Sequence, residues 1–470
     1  MIEKYYSGVI EQIYNRIGKE TRNIVMANYS NDFSIENLEV IRRYQSNEDN
    51  VFFAYSEFSY NTLVGAYEPF LDIICNMHRR FIGGSFDDFQ KECGVYYLHR
   101  QVLNSYYETG ECFREETVLL NEVAYEQRRM TMAIADMLKK LSEVKPLMIV
   151  INRFQMASKS SIETIKYLID NPCANIGIVL GVNAIVKGTD STVEVWDRIV
   201  ESLEDRSAIY YIGSAGPLKN NVKTTNDDEL YITMNFEQSI QEASNIMEFL
   251  DFEQARRGCR IIEHKLKFED AWIDEKSLRR FYMVYARTSV LLGEMSKAIE
   301  LTNEYKALIP ENDSEHYLSL YYFMKGTCYM YQGKLEKAGN SAKSAYDYAV
   351  LAEDDTLIFK AELLSVMIKM SGWYNIFFCV QDIPVSDEII EKLIKHGYRN
   401  HLAHIYIYAY DNSRDVVKQS FYDESLLKHF TKGLELAKEI GNEQLVYDAY
   451  QKTIMLASTS GLNEIAFLYV

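Results

Sequence analysis

The sequence predicts an α/β domain with a parallel sheet, followed by an all-α domain of helical repeats. Three observations support this prediction. Short apolar runs rich in β-branched and aromatic residues are confined to the first half of the chain. Helical periodicity fills the gaps between these runs and continues alone after about residue 238. The 470 residues include only 6 prolines and 22 glycines, which favours long helices over a turn-rich β fold.

Six β-rich runs in the first half are expected to form strands. Several are continuously apolar rather than alternating, which is typical of strands buried on both faces of a parallel sheet. The runs span residues 23–29, 50–58, 146–154, 174–184, 208–215 and 230–236. Because helical patterns separate them, the order of elements predicts an α/β sheet with right-handed crossovers.

Two helices between the strands are predicted from their spacing. One carries a continuous apolar face that includes Met130, Ile134 and Leu138. The other is expected to begin near Ser160 and Glu163, which have the spacing of a capping box.

Two stretches resemble P-loop NTPases of the STAND/AAA+ kind, found in large bacterial signalling proteins. The sequence PLMIVINRFQMASKSSIETIKYLID (146–170) looks like the family's Walker B strand and the helix after it. The run AYEPFLDII (66–74) looks like the segment after the second strand. The resemblance covers about residues 1–250. It implies a P-loop NTPase-like α/β domain at 1–236 and a helical linker or lid at 237–276.

The charged residues that this family uses for nucleotide chemistry are missing. A P-loop needs glycines whose amides surround phosphates, and a lysine that neutralises them. The corresponding turn at 27–38 has neither, and Asp32 and Phe33 occupy roughly those places. At the Walker B position Asn152 and Arg153 stand where acidic residues would hold Mg²⁺ and polarise water. The sequence therefore predicts a pseudo-NTPase without catalytic, cofactor-binding or metal-binding residues.

Histidines and paired carboxylates give weaker signals of a site. His401 and His404 have i, i+3 spacing close to His396, but no third and fourth zinc ligand accompanies them. We expect them to be histidines on a helix surface. Pairs such as Glu115 and Glu116 are expected on solvated faces, because the chain is acidic throughout.

The second half repeats with a period of about 40 residues. Gly293, Gly333 and Gly372 are 40 and 39 residues apart, and each is expected to end a helix, as is Gly461. The small, aromatic and proline positions around the first two turns are Tyr282, Ala286, Ala298 and Pro310, then Tyr322, Gly326, Tyr329, Ala338, Ala342 and Ala345. This pattern resembles tetratricopeptide (TPR) repeats, well over 277–350 and loosely over 356–470, and it implies a TPR-like solenoid at 277–470.

The TPR resemblance implies a concave face that binds a protein or peptide partner. Its groove-facing positions correspond to Arg280, Met283 and Arg287 in the first repeat and to Phe323 and Thr327 in the second. The two arginines would hold an acidic partner through forked hydrogen bonds. The alternative is that they are ordinary exposed arginines beside an aromatic residue at the edge of the core.

Composition limits the classes of function. Lys and Arg total 50 and Asp and Glu total 68, which gives a net charge of −18. No basic stretch stands out for binding bare nucleic acid. The seven cysteines are widely spaced and include no C-x-x-C pair, so neither a disulfide framework nor a structural zinc site is expected. No apolar signal core and no run of 18 apolar residues occurs, so we expect a cytoplasmic protein without a membrane partner.

Together these features predict a non-enzymatic regulatory or scaffold protein that binds a protein or peptide partner. Three alternatives remain open. The chain is compatible with a nucleotide-responsive switch of the STAND class, with a non-catalytic subunit that stabilises an enzyme complex, and with an enzyme whose site is not recognised. Homo- and hetero-oligomers are both compatible with it. The apolar run after Gly461 is expected to be covered by a helix of another chain or of a following segment.

Overall fold

The chain divides into two compact units. The first comprises residues 1–95, 99–113 and 126–272, and the second comprises 96–98, 114–125 and 273–470. The computed structural model describes residues 2–29, 38–46, 50–59, 63–120, 122–183, 186–187, 193–213, 223–224, 235–268, 273–312, 314–374, 386–409, 424–459, 461 and 463–468. Among these residues, every helix is too short or too polar to cross a lipid bilayer.

The first unit contains a parallel sheet, as predicted. The strands are β1 (Ile24–Tyr29), β2 (Phe52–Glu57), β3 (Leu147–Asn152), β4 (Ile176–Asn183), β5 (Val186–Lys187), β6 (Ile209–Ile212) and β7 (Lys223–Thr224). Five of them form one sheet in the order β2-β3-β4-β1-β6, with every neighbouring pair parallel. All residues of β3 and β4 are buried, because helices cover both faces of a parallel sheet.

Helices alternate with these strands and then follow them. They are α1 (Ile2–Arg16), α2 (Glu39–Ser46), α3 (Phe70–Met77), α4 (Phe86–Glu92), α5 (Tyr97–Thr109), α6 (Val123–Val144), α7 (Lys159–Asp170), α8 (Val193–Glu204), α9 (Phe236–Glu248) and α10 (Phe252–Phe268). The predicted linker or lid at 237–276 corresponds to α9 and α10, which belong to the first unit.

The core of the first unit is formed by helix faces packed on the sheet. Tyr6, Ile10 and Ile13 of α1 pack with Val25 of β1 and Val150 of β3. The apolar face predicted on α6 is also confirmed, because Met130, Ile134, Met137, Leu138 and Leu141 are fully buried. Each such side chain contributes roughly 1.5–3 kcal/mol of burial free energy.

Two predicted boundaries in the first unit are wrong. Ser158, rather than Ser160, caps α7 by accepting from the Ser161 amide. Ser160 lies inside the helix, where its amide donates to Asp251 Oδ2 (3.0 Å), so a long-range contact replaces the expected capping box. Most of the predicted strand at 230–236 lies outside the described residues, and its last residue, Phe236, begins α9. Asn235 caps that helix and therefore ends any extended structure there.

The second unit consists of consecutive helices. They are α11 (Glu275–Leu291), α12 (Met295–Ala307), α13 (Ser314–Tyr331), α14 (Leu335–Leu351), α15 (Asp355–Tyr374), α16 (Asp387–Lys395), α17 (Arg399–His404), α18 (Glu424–Ile440), α19 (Glu443–Thr459) and α20 (Asn463–Leu468). Neighbours in sequence pack on each other from α11 to α15, and α13 also contacts both α11 and α15. The alternate helices α11, α13 and α15 therefore form one layer.

The glycine turns explain the helix pairs, with one exception. Gly293 and Gly333 have left-handed φ values of 77° and 71° and end α11 and α13, as expected. Gly372 does not end a helix, because it lies within α15. The buried residues of α15 continue to Met370, and their packing outweighs the roughly 1 kcal/mol that a glycine costs inside a helix.

Small residues allow these helices to approach closely. Ala298, Ala338, Ala342 and Ala345 are fully buried. A Cβ atom at Gly326 of α13 would lie 3.1 Å from Leu364 Cδ2 and 3.4 Å from the Ala338 carbonyl oxygen. The small positions identified in the sequence are therefore contact points between helices.

Candidate functional site

The carboxyl edge of the sheet is the first candidate site. Tyr29, Glu57, Asn152 and Asn183 end β1, β2, β3 and β4. The register places Glu57 beside Asn152 and Tyr29 beside Asn183. Ligands of open α/β sheets bind at this edge, so the side chains there decide what chemistry the unit can carry.

Asn152, at the predicted Walker B position, is used inside the protein. It is fully buried, and its Oδ1 accepts a hydrogen bond from the Tyr29 hydroxyl (2.6 Å). A side chain at Gly181 of β4 would meet both this oxygen and the Tyr6 hydroxyl. Burial raises the pKa of Tyr6 well above its usual value, so that hydroxyl stays neutral. Two tyrosine hydroxyls and an amide thus meet at the position that was predicted to correspond to Walker B.

Arg153 forms an ion pair with a carboxylate that the sequence analysis did not identify. Its backbone is left-handed, with φ 54°, and its Nη1 lies 3.2 Å from Glu57 Oε1. The other carboxylate oxygen of Glu57 accepts from the Tyr55 hydroxyl. Glu57 therefore has a cation and a hydrogen-bond donor of its own. Its position as the last residue of a strand in register with Asn152 is the signal that could have identified it.

Two further positions at this edge are Asn183 and the turn at 27–38. Asn183 is the last residue of β4, and its backbone amide donates to Gln155 Oε1 (3.3 Å). The turn predicted to replace the P-loop is at 27–38, and its residues 30–37, with Asp32 and Phe33, lie outside the described residues. In the described part of the chain, no three His, Cys, Asp or Glu side chains are placed to hold a metal ion.

The second candidate site is the layer formed by α11, α13 and α15. Arg280, Met283 and Arg287 lie on α11 at i, i+3 and i+7, which places them along one face. Arg280 is exposed, and the other two are partly buried. Phe323 and Thr327 lie one turn apart on α13, where the Thr327 hydroxyl donates to the Phe323 carbonyl oxygen (2.9 Å). The predicted residues thus lie on two neighbouring helices.

Phe323, predicted as a groove residue, makes contacts with the core of the second unit. It packs against a buried cluster that includes Met330, Ala338 and Leu364. Its ring therefore borders the core formed by α13, α14 and α15. These contacts agree with the alternative interpretation, in which Phe323 is an aromatic residue at the edge of the core.

His401, His404 and Glu116 were expected on the surface and are buried instead, whereas Glu115 is exposed as expected. His401 Nδ1 lies 2.7 Å from Glu116 Oε1, and that oxygen also accepts from the His401 amide (2.6 Å). Both side chains are almost fully buried. Glu116 Oε2 accepts from the Asn400 amide (3.2 Å). Segment 114–125 is therefore hydrogen-bonded to the start of α17, which the sequence could not indicate because these partners are 285 residues apart.

A second buried pair strengthens this attachment. His404 Nε2 lies 2.9 Å from Glu122 Oε1, which also accepts from Asn442 Nδ2 (2.8 Å), while Glu122 Oε2 accepts from Asn400 Nδ2 (3.2 Å). Burial alone would raise the pKa of Glu122. The charge of His404 and these hydrogen bonds outweigh burial and lower the pKa to about 2. The arrangement is a buried hydrogen-bonded network in which both imidazoles face carboxylates.

Comparison with known proteins gives only distant likenesses. No known family model matches the chain, and no curated protein matches it. One solved structure similar to it is a Rap protein complexed with competence and sporulation factor, with 12% identity and a TM-score of 0.35 over 85% of this chain and 95% of that one. Another is a STAND protein with a tetratricopeptide repeat sensor from Pyrococcus horikoshii, with 13% identity and a TM-score of 0.41 over 98% of this chain and 81% of that one. Both TM-scores are below 0.5, so neither likeness establishes the fold.

Proposed function

We propose that the chain is a non-enzymatic regulatory or scaffold protein that binds a peptide segment of a partner along α11 and α13. The observation that carries this proposal is the layer of contacting helices, with Arg280, Met283 and Arg287 along one face of α11. Phe323 and Thr327 extend the same layer on α13. In helical-repeat proteins, the first helix of each repeat lies beside that of the next, and this row of helices is the usual binding surface.

The spacing of the arginines suggests the chemistry of the partner. Arg280 and Arg287 are seven residues apart, so their Cα atoms are separated by about 10 Å along the helix axis. A peptide in the extended polyproline II conformation has three residues per turn and advances about 3.1 Å per residue, so acidic side chains three residues apart would lie on one side and match them. Met283, between the arginines, offers an adaptable apolar contact. The partner we propose is therefore an extended acidic peptide.

The first unit is proposed to be a pseudo-NTPase. Asn152 and Arg153 support this proposal, because the first accepts from Tyr29 and the second pairs with Glu57. Neither side chain can act as a base for water, and Glu57 already has a cation beside it. The unit would then serve as a scaffold rather than as a catalyst.

A selection experiment tests the peptide proposal. Peptides would be selected from a random display library on the full chain, and their affinity measured by fluorescence anisotropy. We expect acidic peptides whose affinity falls at least about tenfold in the double variant Arg280→Glu/Arg287→Glu, because attraction becomes repulsion. Lys343→Glu, an exposed charge reversal on α14, is the matched control and should leave affinity unchanged. Equal losses in both variants, or selected peptides without acidic residues, would contradict the proposal.

A nucleotide-responsive switch is the second candidate. The observation that favours it is the parallel sheet, whose interior strand β1 ends at the edge where ligands of such sheets bind. Calorimetric titration with ATP and ADP, with and without Mg²⁺, distinguishes this switch from the proposed pseudo-NTPase. Saturable binding would support the switch, and phosphate release above background would contradict a non-enzymatic role. No heat of binding is expected for a pseudo-NTPase that has lost its phosphate contacts.

A further inference from the structure

The first unit contains a cavity that is separate from the sheet edge. It has a volume of about 480 Å³ and lies among α3, α5, α9 and α10. Small-molecule sites typically enclose about 300–1,000 Å³, so this volume suits a small ligand. The side chains that give it chemical character are Glu68, Asp72, Tyr106, Glu242 and Phe249.

Two carboxylates converge on one wall of this cavity. A Cβ atom at Gly65 would lie 2.9 Å from Glu242 Oε1 and 3.4 Å from Glu68 Oε2, so these oxygens are within about 6 Å of each other. Glu68 Oε2 accepts from the Gly65 amide (3.0 Å). Asp72 Oδ1 accepts from the Tyr106 hydroxyl (2.8 Å). Among the described residues, the cavity therefore concentrates three acidic groups, of which Glu68 and Asp72 accept these hydrogen bonds.

These acidic groups lack a basic partner in the described part of the chain. None of the ion pairs there joins a Lys, Arg or His to Glu68, Asp72 or Glu242. Burial, followed by the charges of Glu68 and Asp72, raises the pKa of Glu242 to about 7. Burial also raises the pKa of Glu68. Ionisation of these two glutamates is thus disfavoured in the free protein, and a bound cation would favour it.

The other walls favour an organic cation over a metal ion. The rings of Tyr106 and Phe249 meet edge to face with their centroids 5.6 Å apart, and both border the cavity. Aromatic walls attract ammonium groups and also pack against methylene chains. The carboxylates, in contrast, are not grouped as a metal site among the residues described.

We propose that this cavity binds a small aliphatic polyamine. One ammonium group would lie between Glu68 and Glu242, a second would pair with Asp72, and the methylene chain between them would cover Tyr106 and Phe249. The proposal goes beyond peptide binding by the second unit, because every lining residue belongs to the first unit. It assigns a ligand class to a cavity that the sequence did not reveal.

Calorimetric titration of the full chain with putrescine and spermidine at pH 8 tests this proposal. At that pH Glu242 is mostly ionised while the amines remain protonated. We expect binding of one ligand per chain, weakened about tenfold by Glu242→Gln. Glu201→Gln, which changes an exposed carboxylate of α8 in the same unit, is the matched control and should bind like the parent chain. The uncharged analogue 1,4-butanediol should not bind.

Three results would overturn the proposal. The first is the absence of binding to both amines, and the second is equal affinity in the parent chain and the Glu242→Gln variant. The third is binding of Mg²⁺ that shows the same loss in Glu242→Gln, since that would identify a metal site. Thermal unfolding at pH 4 without ligand keeps the test valid, because a folded Glu242→Gln variant should unfold at the same temperature as the parent chain there.

Discussion

Glu122 in the second unit and Glu242 in the first are both substantially buried carboxylates, yet their pKa values move in opposite directions. The pKa of Glu122 falls to about 2, whereas that of Glu242 rises to about 7. Burial raises the pKa in both cases, so burial does not explain the difference. Glu122 faces His404, Asn400 and Asn442, while Glu242 faces other acidic groups. Partners, rather than depth, decide whether a buried carboxylate stabilises the fold or is available for a ligand.

Removing the Glu122 side chain should have the largest effect on stability. In Glu122→Ala, His404, Asn400 and Asn442 each lose an acceptor inside the protein, and breaking a buried pair in this way costs about 3–5 kcal/mol. We expect the calorimetric unfolding transition of the second unit to move several degrees lower. Glu435→Ala on the exposed side of α18 is the control and should change the free energy of unfolding by less than about 0.5 kcal/mol. A loss in Glu122→Ala as small as that of the control would show that the network is dispensable.

The pH dependence of the two carboxylates should have opposite signs. The folded pKa of Glu122 is below its ordinary value of 4.5, so its stabilising contribution is fully present above pH 4.5 and is lost as the pH falls towards 2. The folded pKa of Glu242 is above 4.5, so the unfolded state releases its proton first. Stability should therefore decrease as the pH rises from 4.5 to 7.

Glu242→Gln isolates the second of these effects. The variant should match the parent chain at pH 4 and exceed its free energy of unfolding by up to about 3 kcal/mol at pH 8. Glu68, Asp72 and Tyr106 are the other titratable groups that line the cavity beside Glu242. Urea unfolding at several pH values measures the difference. A gap between the two proteins that does not depend on pH would contradict the elevated pKa.

Separate substitutions of two glycines, Gly65 and Gly8, are predicted to have the smallest effect on stability. Gly65→Ala places a methyl group 2.9 Å from Glu242 Oε1 and should reduce stability by about 1 kcal/mol, because that carboxylate must move. Gly8→Ala, in an exposed part of α1 with no neighbouring atom within 4 Å, should instead increase stability by up to about 1 kcal/mol. Thermal unfolding of both variants checks the contrast. Stabilisation by both substitutions would mean that Glu242 does not approach Gly65.

The sequence identified features that depend on neighbouring residues. The continuous apolar run at 146–154 contains β3, and the spacing from Met130 to Leu141 gave the buried face of α6. The turns at Gly293 and Gly333 were also identified, because a left-handed residue after a helix is a local requirement. Gly372 was misassigned, since packing of the rest of α15 overrides the local tendency of a single glycine.

Only part of each candidate site could be predicted from the sequence. The presence of Asn152 and Arg153 after an apolar run could be read directly, but the pairing of Arg153 with Glu57 required the register of β2 and β3. The expectation of surface histidines failed because their acceptors, Glu116 and Glu122, are 285 and 282 residues away. The convergence of Glu68 and Glu242 likewise joins two distant segments.

The sequence by itself determined the order of strands and helices and the small positions at which helices approach. Those features follow from backbone periodicity and from residue size, which act over a few residues. Only the tertiary structure decided which carboxylates acquired donors and which were left facing one another. Electrostatic free energy depends on distance in space and on exclusion of water, and neither quantity is present in the order of residues along the chain.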